Sequence, residues 1–304
     1  MKFKPGIAVV VGAALFVSAS CSIKKTAMRS MGGALSGAAD EFARDEDPEL
    51  IRGALPFSLK MLETILAQDP KNAELLLSVT KGFSQYAYGF VLQDADELND
   101  KDAVAAKAAR DRAVKLFLRG KNYGMRAFEL KHPNFAADLK ANPKKAAASL
   151  SKAEVPLMYW TAIGWAAALA TSKDFLMFGQ IPQFEALMER ALELDEAYEQ
   201  GAIHSFYIAY EMVRLNGKGD KAANAKTHFD RAVELGGGKQ AGPLVSYAEN
   251  VLIPAKNRAE YENLLKQALK VDLNGAPDYR VLNAIFQKRA RWLLATADKR
   301  FPKP

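Results

Sequence analysis

One apolar pattern recurs along the chain and dictates its class. Phe184, Leu187, Met188, Ala191 and Leu192 fall at i, i+3, i+4, i+7 and i+8, and Tyr261, Leu264, Leu265, Ala268 and Leu269 repeat those offsets. Each set lines one face of a helix. Glu185, Glu189 and Glu193 take the facing positions in the first copy, and Glu260, Lys266 and Lys270 in the second. Met61, Leu62, Ile65 and Leu66 in MLETILAQDPKN occupy the same inner positions, FDRAVELGGGKQAG is a further copy, and GMRAFELKHP is a looser one. The small Ala191, Ala232 and Ala268 let a neighbouring helix approach closely, and one such hairpin cannot bury its own stripe, so it must stack on the next.

An Ala at the contact, a large apolar residue after it, then Glu-Leu-Asp and a turn is how the second helix of a tetratricopeptide repeat ends. The aligned positions 65, 127, 191, 232 and 268 are 62, 64, 41 and 36 residues apart, whereas a regular array steps by about 34. The doubled gaps predict two hairpins that lack the signature. Strand-type alternation is hard to find. The expectation is an all-α fold: a compact array of tetratricopeptide-like hairpins with irregular connections, and not an open superhelix.

The punctuation agrees. Asp47-Pro48-Glu49 is a strong helix start, with Asp47 as N-cap and Pro48 at the first helical position. Residues 92–113 read as polar and then Ala-rich helix, and Pro133, Pro143 and Pro156 divide 132–156 into short pieces. The stretch 155–172 runs eighteen residues without a charge. Its many small and hydroxyl residues make it a buried central helix and not a membrane span.

The N-terminus carries an address. MKFKPG supplies positive charge, IAVVVGAALFV an apolar run of eleven residues, and SAS the small residues before Cys21, the single cysteine. That run is short of the ~20 residues a spanning helix needs and has the order of a secretory signal. Cysteine directly after small residues reads as a lipobox, in which the thiol is acylated and the leader cut before it. Ser18 stands where Leu, Val or Ile is usual. An ordinary signal ending near Ala19 is the alternative. Ser22, in place of Asp, permits transport to the outer membrane. The expected organisation is a leader at 1–20, a lipid-anchored tether at 21–46 and the helical domain at 47–304, with membrane attachment through the lipid alone. The formal net charge of +7 is scattered among acids, which describes a solvated surface and not a nucleic-acid footprint.

No catalytic, metal or cofactor site is legible. His132, His204 and His228 are far apart in sequence, with no second ligand at helical spacing. GGGKQ at 236–240 lacks the pattern of a phosphate loop and reads as a Gly-rich helix C-cap. The aromatics Tyr159, Trp160 and Trp165 on the central helix, and Tyr207 and Tyr210 on the helix after the repeated stretch, either fill the core or line a groove; tyrosine hydroxyls want partners and tilt toward a wet lining.

Five stretches, DPELIRGALPFSLKMLETILAQDPKNAELLLSVTKGFSQYAYGFV, PLMYWTAIGWAAAL, IPQFEALMERALELDEAYEQGAIHSFY, AKTHFDRAVELGGG and YRVLNAIFQKRARWLLATADKRF, come in an order that resembles the TatT proteins, the tetratricopeptide-repeat lipoproteins associated with TRAP transporters. The resemblance implies a non-enzymatic periplasmic protein that forms a homotrimer with a pore through each subunit. It also implies binding to a TRAP-type solute-binding protein and passage of a small hydrophobic or carboxylate-bearing ligand. On that basis Trp160 or Trp165, with Tyr207 or Tyr210 opposite and Tyr159 beside them, would line a channel, and Arg289 or Arg291 would meet the ligand's charge. The alternative is a scaffold lipoprotein that assembles envelope proteins and takes no ligand.

The anchor has a direct test. Cys21→Ser should move the protein from the membrane to the soluble fraction, and mass spectrometry should find an acylated Cys21 at the mature N-terminus of the parent. Cleavage at Ala19 with a free thiol would contradict this.

Overall fold

The computed structural model describes residues 32–33, 37, 41–172 and 174–302. Among these are fourteen α-helices and no strand. They are α1 (Pro48–Gln68), α2 (Ala73–Tyr86), α3 (Gln93–Leu98), α4 (Ala103–Glu129), α5 (Phe135–Ala141), α6 (Pro143–Ala148) and α7 (Val155–Thr171). The second half holds α8 (Ile181–Leu194), α9 (Ala202–Val213), α10 (Lys221–Leu235), α11 (Ala241–Tyr247), α12 (Arg258–Lys270), α13 (Arg280–Ala295) and α14 (Ala297–Arg300). The all-α expectation holds.

Short polar residues set the starts. Asp47 accepts from the N–H groups of Glu49 and Leu50, Asn72 from Leu75, Asp102 from Val104 and Ala105, and Asp220 from Ala223. Each satisfies donors that the first helical turn leaves free. The GGG stretch ends α10 as expected: Gly237 and Gly238 have φ of 57° and 69°, the left-handed region glycine enters at little cost. The repeated stripes are the core faces. Phe184, Leu187, Met188 and Ala191 on α8 are buried, as are Tyr261, Leu264, Leu265 and Ala268 on α12.

The charge-free run forms α7, whose buried residues lie on every side. Helix α4 lies against it without room for a side chain. A Cβ added at Gly124 would stand 2.0 Å from Thr161 Oγ1, and one at Gly164 would stand 2.7 Å from Ser84 Oγ on α2. Helices α1, α2, α4, α7 and α8 share the larger core, and α11, α12 and α13 build a second around Tyr261, Leu264, Leu265 and Leu293. Helix α13 belongs to both, since Val281 and Ile285 lie in the first while Ala290 and Leu293 lie in the second. No described helix is long and apolar enough to cross a membrane.

The end of the array returns to its beginning through polar contacts. Arg44 pairs with Asp278 at 2.7 Å, Arg289 with Asp96 at 2.9 Å and Lys299 with Asp100 at 2.7 Å.

The close approach at Gly124 sets a stability test. Alanine gains about 1 kcal/mol of helix propensity over glycine, while overpacking costs roughly 1–3 kcal/mol. With an approach of 2.0 Å the cost falls at the upper end of that range, so Gly124→Ala should lower stability in urea by about 2 kcal/mol. Adding Thr161→Ala, which removes the clashing oxygen, should recover most of it. A neutral or stabilising Gly124→Ala would refute the tight contact.

Candidate functional site

Two stretches leave α-helical geometry for the wider π turn, Ala87–Leu92 after α2 and Ala248–Leu252 after α11. A π turn redirects the side chains that follow it and recurs at functional sites. Both stretches face one place. The first carries Tyr88, whose ring lies 6.1 Å from that of Phe286 on α13. The second carries Glu249, which accepts from Arg289 Nε at 3.2 Å and from Arg289 Nη2. Arg289 Nη2 also donates to Asp96 Oδ2 at 2.9 Å. One buried guanidinium thus ties α13 to α3 and to the second π stretch. Burial alone would lower its pKa, but Glu249 and Asp96 raise it above the usual arginine value.

Tyr88 exposes 42% of its surface, yet burial is the leading cause that pushes its hydroxyl up to about 12, with Glu249 adding and Arg289 opposing. The ring is open to solvent, and its hydroxyl senses the charges of Glu249, Arg289 and Asp96. A cleft of about 380 Å³ that Tyr88 does not line shares Asp96, Glu249 and Arg289 with this cluster and adds Arg110, Trp292 and Arg300.

The aromatic residues singled out in the sequence fall into three neighbourhoods. Tyr159 and Trp160 meet edge to face at 5.0 Å, with Tyr198 5.4 Å from Tyr159 and Lys81 5.4 Å above the Trp160 ring. Burial, reinforced by Glu199, Tyr88 and Tyr279, raises the Tyr159 hydroxyl well above its usual value, so this face of α7 looks toward Tyr88. Trp165 is elsewhere: its Nε1 donates to Gln180 Oε1 at 2.9 Å, and Lys121 stands 4.2 Å above its ring. Tyr207 stacks on His228 at 4.8 Å, and Tyr210 stacks on Phe206 at 5.2 Å while its hydroxyl donates to Glu185 at 2.7 Å. Trp160, Trp165 and Tyr207 expose only 8%, 5% and 3% of their surface. Of the two arginines, Arg289 is buried among carboxylates and Arg291 is exposed. Cys21 lies outside the described residues. Glu185 and Glu189, which face away from the stripe in the sequence, are not simply solvated: Arg214 binds both and also Glu211.

A pair of histidines is the constellation that sequence reasoning missed. His204 on α9 and His228 on α10 bring their Nδ1 atoms to 2.9 Å, and Glu196 lies 3.5 Å from His204 Nε2. They are 24 residues apart, on different helices, and only the packing of α9 on α10 joins them. Burial lowers the pKa of His204. Burial, followed by repulsion from His204, lowers that of His228 to about 4. Among the described residues no three His, Cys, Asp or Glu side chains converge as metal ligands do.

With this geometry in place, comparison with known proteins adds two findings. A family model described as TRAP transporter T-component matches residues 44–301. A Treponema pallidum (strain Nichols) protein, described as uncharacterized, is 28% identical over 302 residues, covering 93% of this chain and 94% of that protein.

The histidine pair makes stability depend on pH. The native state keeps His228 neutral down to about 4, while the unfolded chain protonates near the ordinary value of about 6.5. Between those limits the unfolded state binds more protons, so stability falls as pH drops from about 6.5 toward 4. After discounting for partial solvent exposure, the loss attributable to His228 is ~1–2 kcal/mol. His228→Gln should shrink the drop in melting temperature between pH 7 and pH 4.5. A parent whose Tm is flat across that range would contradict the assignment.

Proposed function

The chain belongs to the TRAP transporter T-component family, and from that premise we propose that it is a non-enzymatic, lipid-anchored periplasmic partner of a TRAP-type solute-binding protein. It passes a small hydrophobic or carboxylate-bearing ligand along an internal path. In this reading residues 1–20 are the leader, 21–46 tether the helical domain to the membrane through Cys21, and Ser22 allows transport to the outer one. The helical hairpins are tetratricopeptide-like, and the working assembly is a homotrimer.

The observation that supports a ligand path is the cleft of about 380 Å³ at the seam, where Arg289, Trp292 and Arg300 meet Asp96 and Glu249. The path runs from the Tyr159 and Trp160 face of α7, past Tyr88, to Arg289. Electrostatic coupling of Tyr159 to Tyr88 and Tyr279 supports that order. Trp165, beside Gln180 and Lys121, and Tyr207 and Tyr210, beside His228 and Phe206, lie in separate neighbourhoods. A ligand-free envelope scaffold is the second reading, favoured by the burial of Trp160, Trp165 and Tyr207.

Purification of the tagged full-length protein from envelopes separates the two. Co-purification of a TRAP-type solute-binding protein in stoichiometric amount is the expected result. Recovery with envelope-assembly proteins and no binding protein would favour the scaffold. Light scattering should return a trimer mass, and a monomer at micromolar concentration would remove the trimer. Tyr88→Ala, at an open wall, should leave Tm within a few degrees while weakening retention of the partner. Trp160→Ala should cost little stability while weakening ligand or partner binding; a loss on the order of 3–5 kcal/mol, the cost of a core tryptophan, would favour the scaffold.

A further inference from the structure

Helix α10 is docked more lightly than the helices around it. Of its fifteen residues only Ala225 and Ala232 are buried, whereas α8 and α12 bury large side chains along a whole face. The two alanines meet Ile208 on α9 and Val251 in the second π stretch, in a small cluster apart from the two main cores. Phe229, the one large apolar ring on α10, is half-buried against Tyr247 at 4.6 Å. Turns with left-handed glycines bound the helix on both sides. Gly219 before it has φ of 78°, and Gly237 and Gly238 after it have 57° and 69°. Turns of this kind absorb large backbone rotations. An element with few buried apolar contacts and a hinge at each end opens at a lower free energy than the fold as a whole.

The contact that holds the middle of α10 to α9 is the histidine pair. The Nδ1 atoms of His204 and His228 are 2.9 Å apart and their ring centroids 5.1 Å apart, so the two nitrogens point at each other with one proton between them. Glu196 lies 3.5 Å from His204 Nε2 and favours a proton on that nitrogen. His204 Nδ1 is then the acceptor and His228 Nδ1–H the donor. This arrangement needs neutral rings. When both imidazoles are charged, every ring nitrogen carries a hydrogen, and two N–H groups meet head-on with like charge added. The surrounding charges are already engaged. Glu196 is bound by Arg231 of α10, Glu211 of α9 by Arg214, and Glu249 of the second π stretch by Arg289. Arg214 also holds Glu185 and Glu189 of α8, Lys226 and Asp230 of α10 pair with each other, and α11 carries no charged residue.

We propose that α10 is an acid-released helix: when both imidazoles of the His204–His228 pair are charged, it swings off α9 about its glycine-bearing turns and bares Ile208 and Val251, while the two larger cores stay packed. In the released helix the imidazoles protonate near the ordinary value of about 6.5. In the docked helix burial lowers both, His228 to about 4. Between those limits the released state binds more protons, so its population grows as pH falls through the interval. Above about 6.5 both states hold neutral rings and docking is undisturbed. The device goes beyond the transport reading and depends on neither a partner nor a ligand.

Hydrogen–deuterium exchange of the purified protein, read by mass spectrometry at pH 7 and pH 5 and corrected for intrinsic exchange rates, tests this. At pH 5 most carboxylates are still ionised, so the interval isolates the histidines. Peptides from residues 221–235 should lose protection about tenfold, the factor expected for an imidazole held from about 6.5 down to about 4 after discounting for solvent. Peptides from α7 and α12 should keep theirs. Binding of the dye ANS should rise over the same interval as apolar surface is bared. His228→Gln, whose amide can still donate to His204, should remove most of the acid response. His204→Gln tests the same point from α9 and decides if the first variant does not fold. Lys221→Gln, at an exposed position of α10, should respond as the parent does. Unchanged protection of α10 at pH 5 would overturn the proposal. So would a loss spread evenly over α7, α10 and α12, or a parent-like acid response in a folded histidine variant.

Discussion

Everything in the fold is arranged around how closely α4 and α2 approach α7. Glycine at 124 and 164 lets their backbones come within a distance that any Cβ would forbid, with Thr161 and Ser84 filling the gap. That contact removes α7 from water on every side, which its charge-free sequence requires. It also decides where space can remain. A helix packed to crystal-like density on α2, α4 and α8 leaves no room along those faces, so its large rings are pushed to the flanks. Trp165 goes toward Lys121 and Gln180, and Tyr159 and Trp160 go toward Tyr198 and Lys81. Open space lies instead where α13 closes on α3 and the second π stretch.

That closure is polar, although the molecule had apolar means to seal itself. A buried guanidinium among carboxylates is at best near neutral for stability, and well-packed hydrophobic residues often do better. Arg289 nevertheless sits in the seam with Glu249 and Asp96, and Arg44 and Lys299 pair across it at its margins. Two π turns, which a continuous α-helix would avoid, place Tyr88 and Glu249 there. Desolvated charge concentrated in one seam marks it as a candidate site.

Much of the scaffold was legible because it follows from local rules. The inner positions of α8 and α12, the caps at Asp47 and Gly237, and the burial of α7 each depend on spacing or on one residue's chemistry. The site was less legible because it depends on encounters across the chain. Arg289 could be singled out as a cation near the C-terminus, but Asp96, 193 residues away, and Glu249, 40 away, could not be read as its partners. The π stretches AYGFVL and AENVL look like ordinary helix in sequence, since widening a turn by one residue leaves the apolar pattern almost intact. His204 and His228 were visible singly, and nothing in either helix announces the other. Glu185 and Glu189 read only as charged positions facing away from the stripe because Arg214, which binds them, follows the end of the next helix.

The turn between α8 and α9 shows how the aromatic side of the molecule is coupled to that seam. Glu199 and Gln200 have φ of 42° and 53°, followed by Gly201 at 91°. Two consecutive non-glycine residues in the left-handed region cost roughly 1–2 kcal/mol each, so contacts must hold them there. Lys81 on α2 reaches Glu199 at 3.6 Å, and Tyr198 lies on Tyr159. The strained turn therefore brings a carboxylate close to the Tyr159 hydroxyl and raises its pKa further, keeping it protonated and able to donate. The turn, α2 and the aromatic face of α7 are thereby locked into one packed unit that borders the seam.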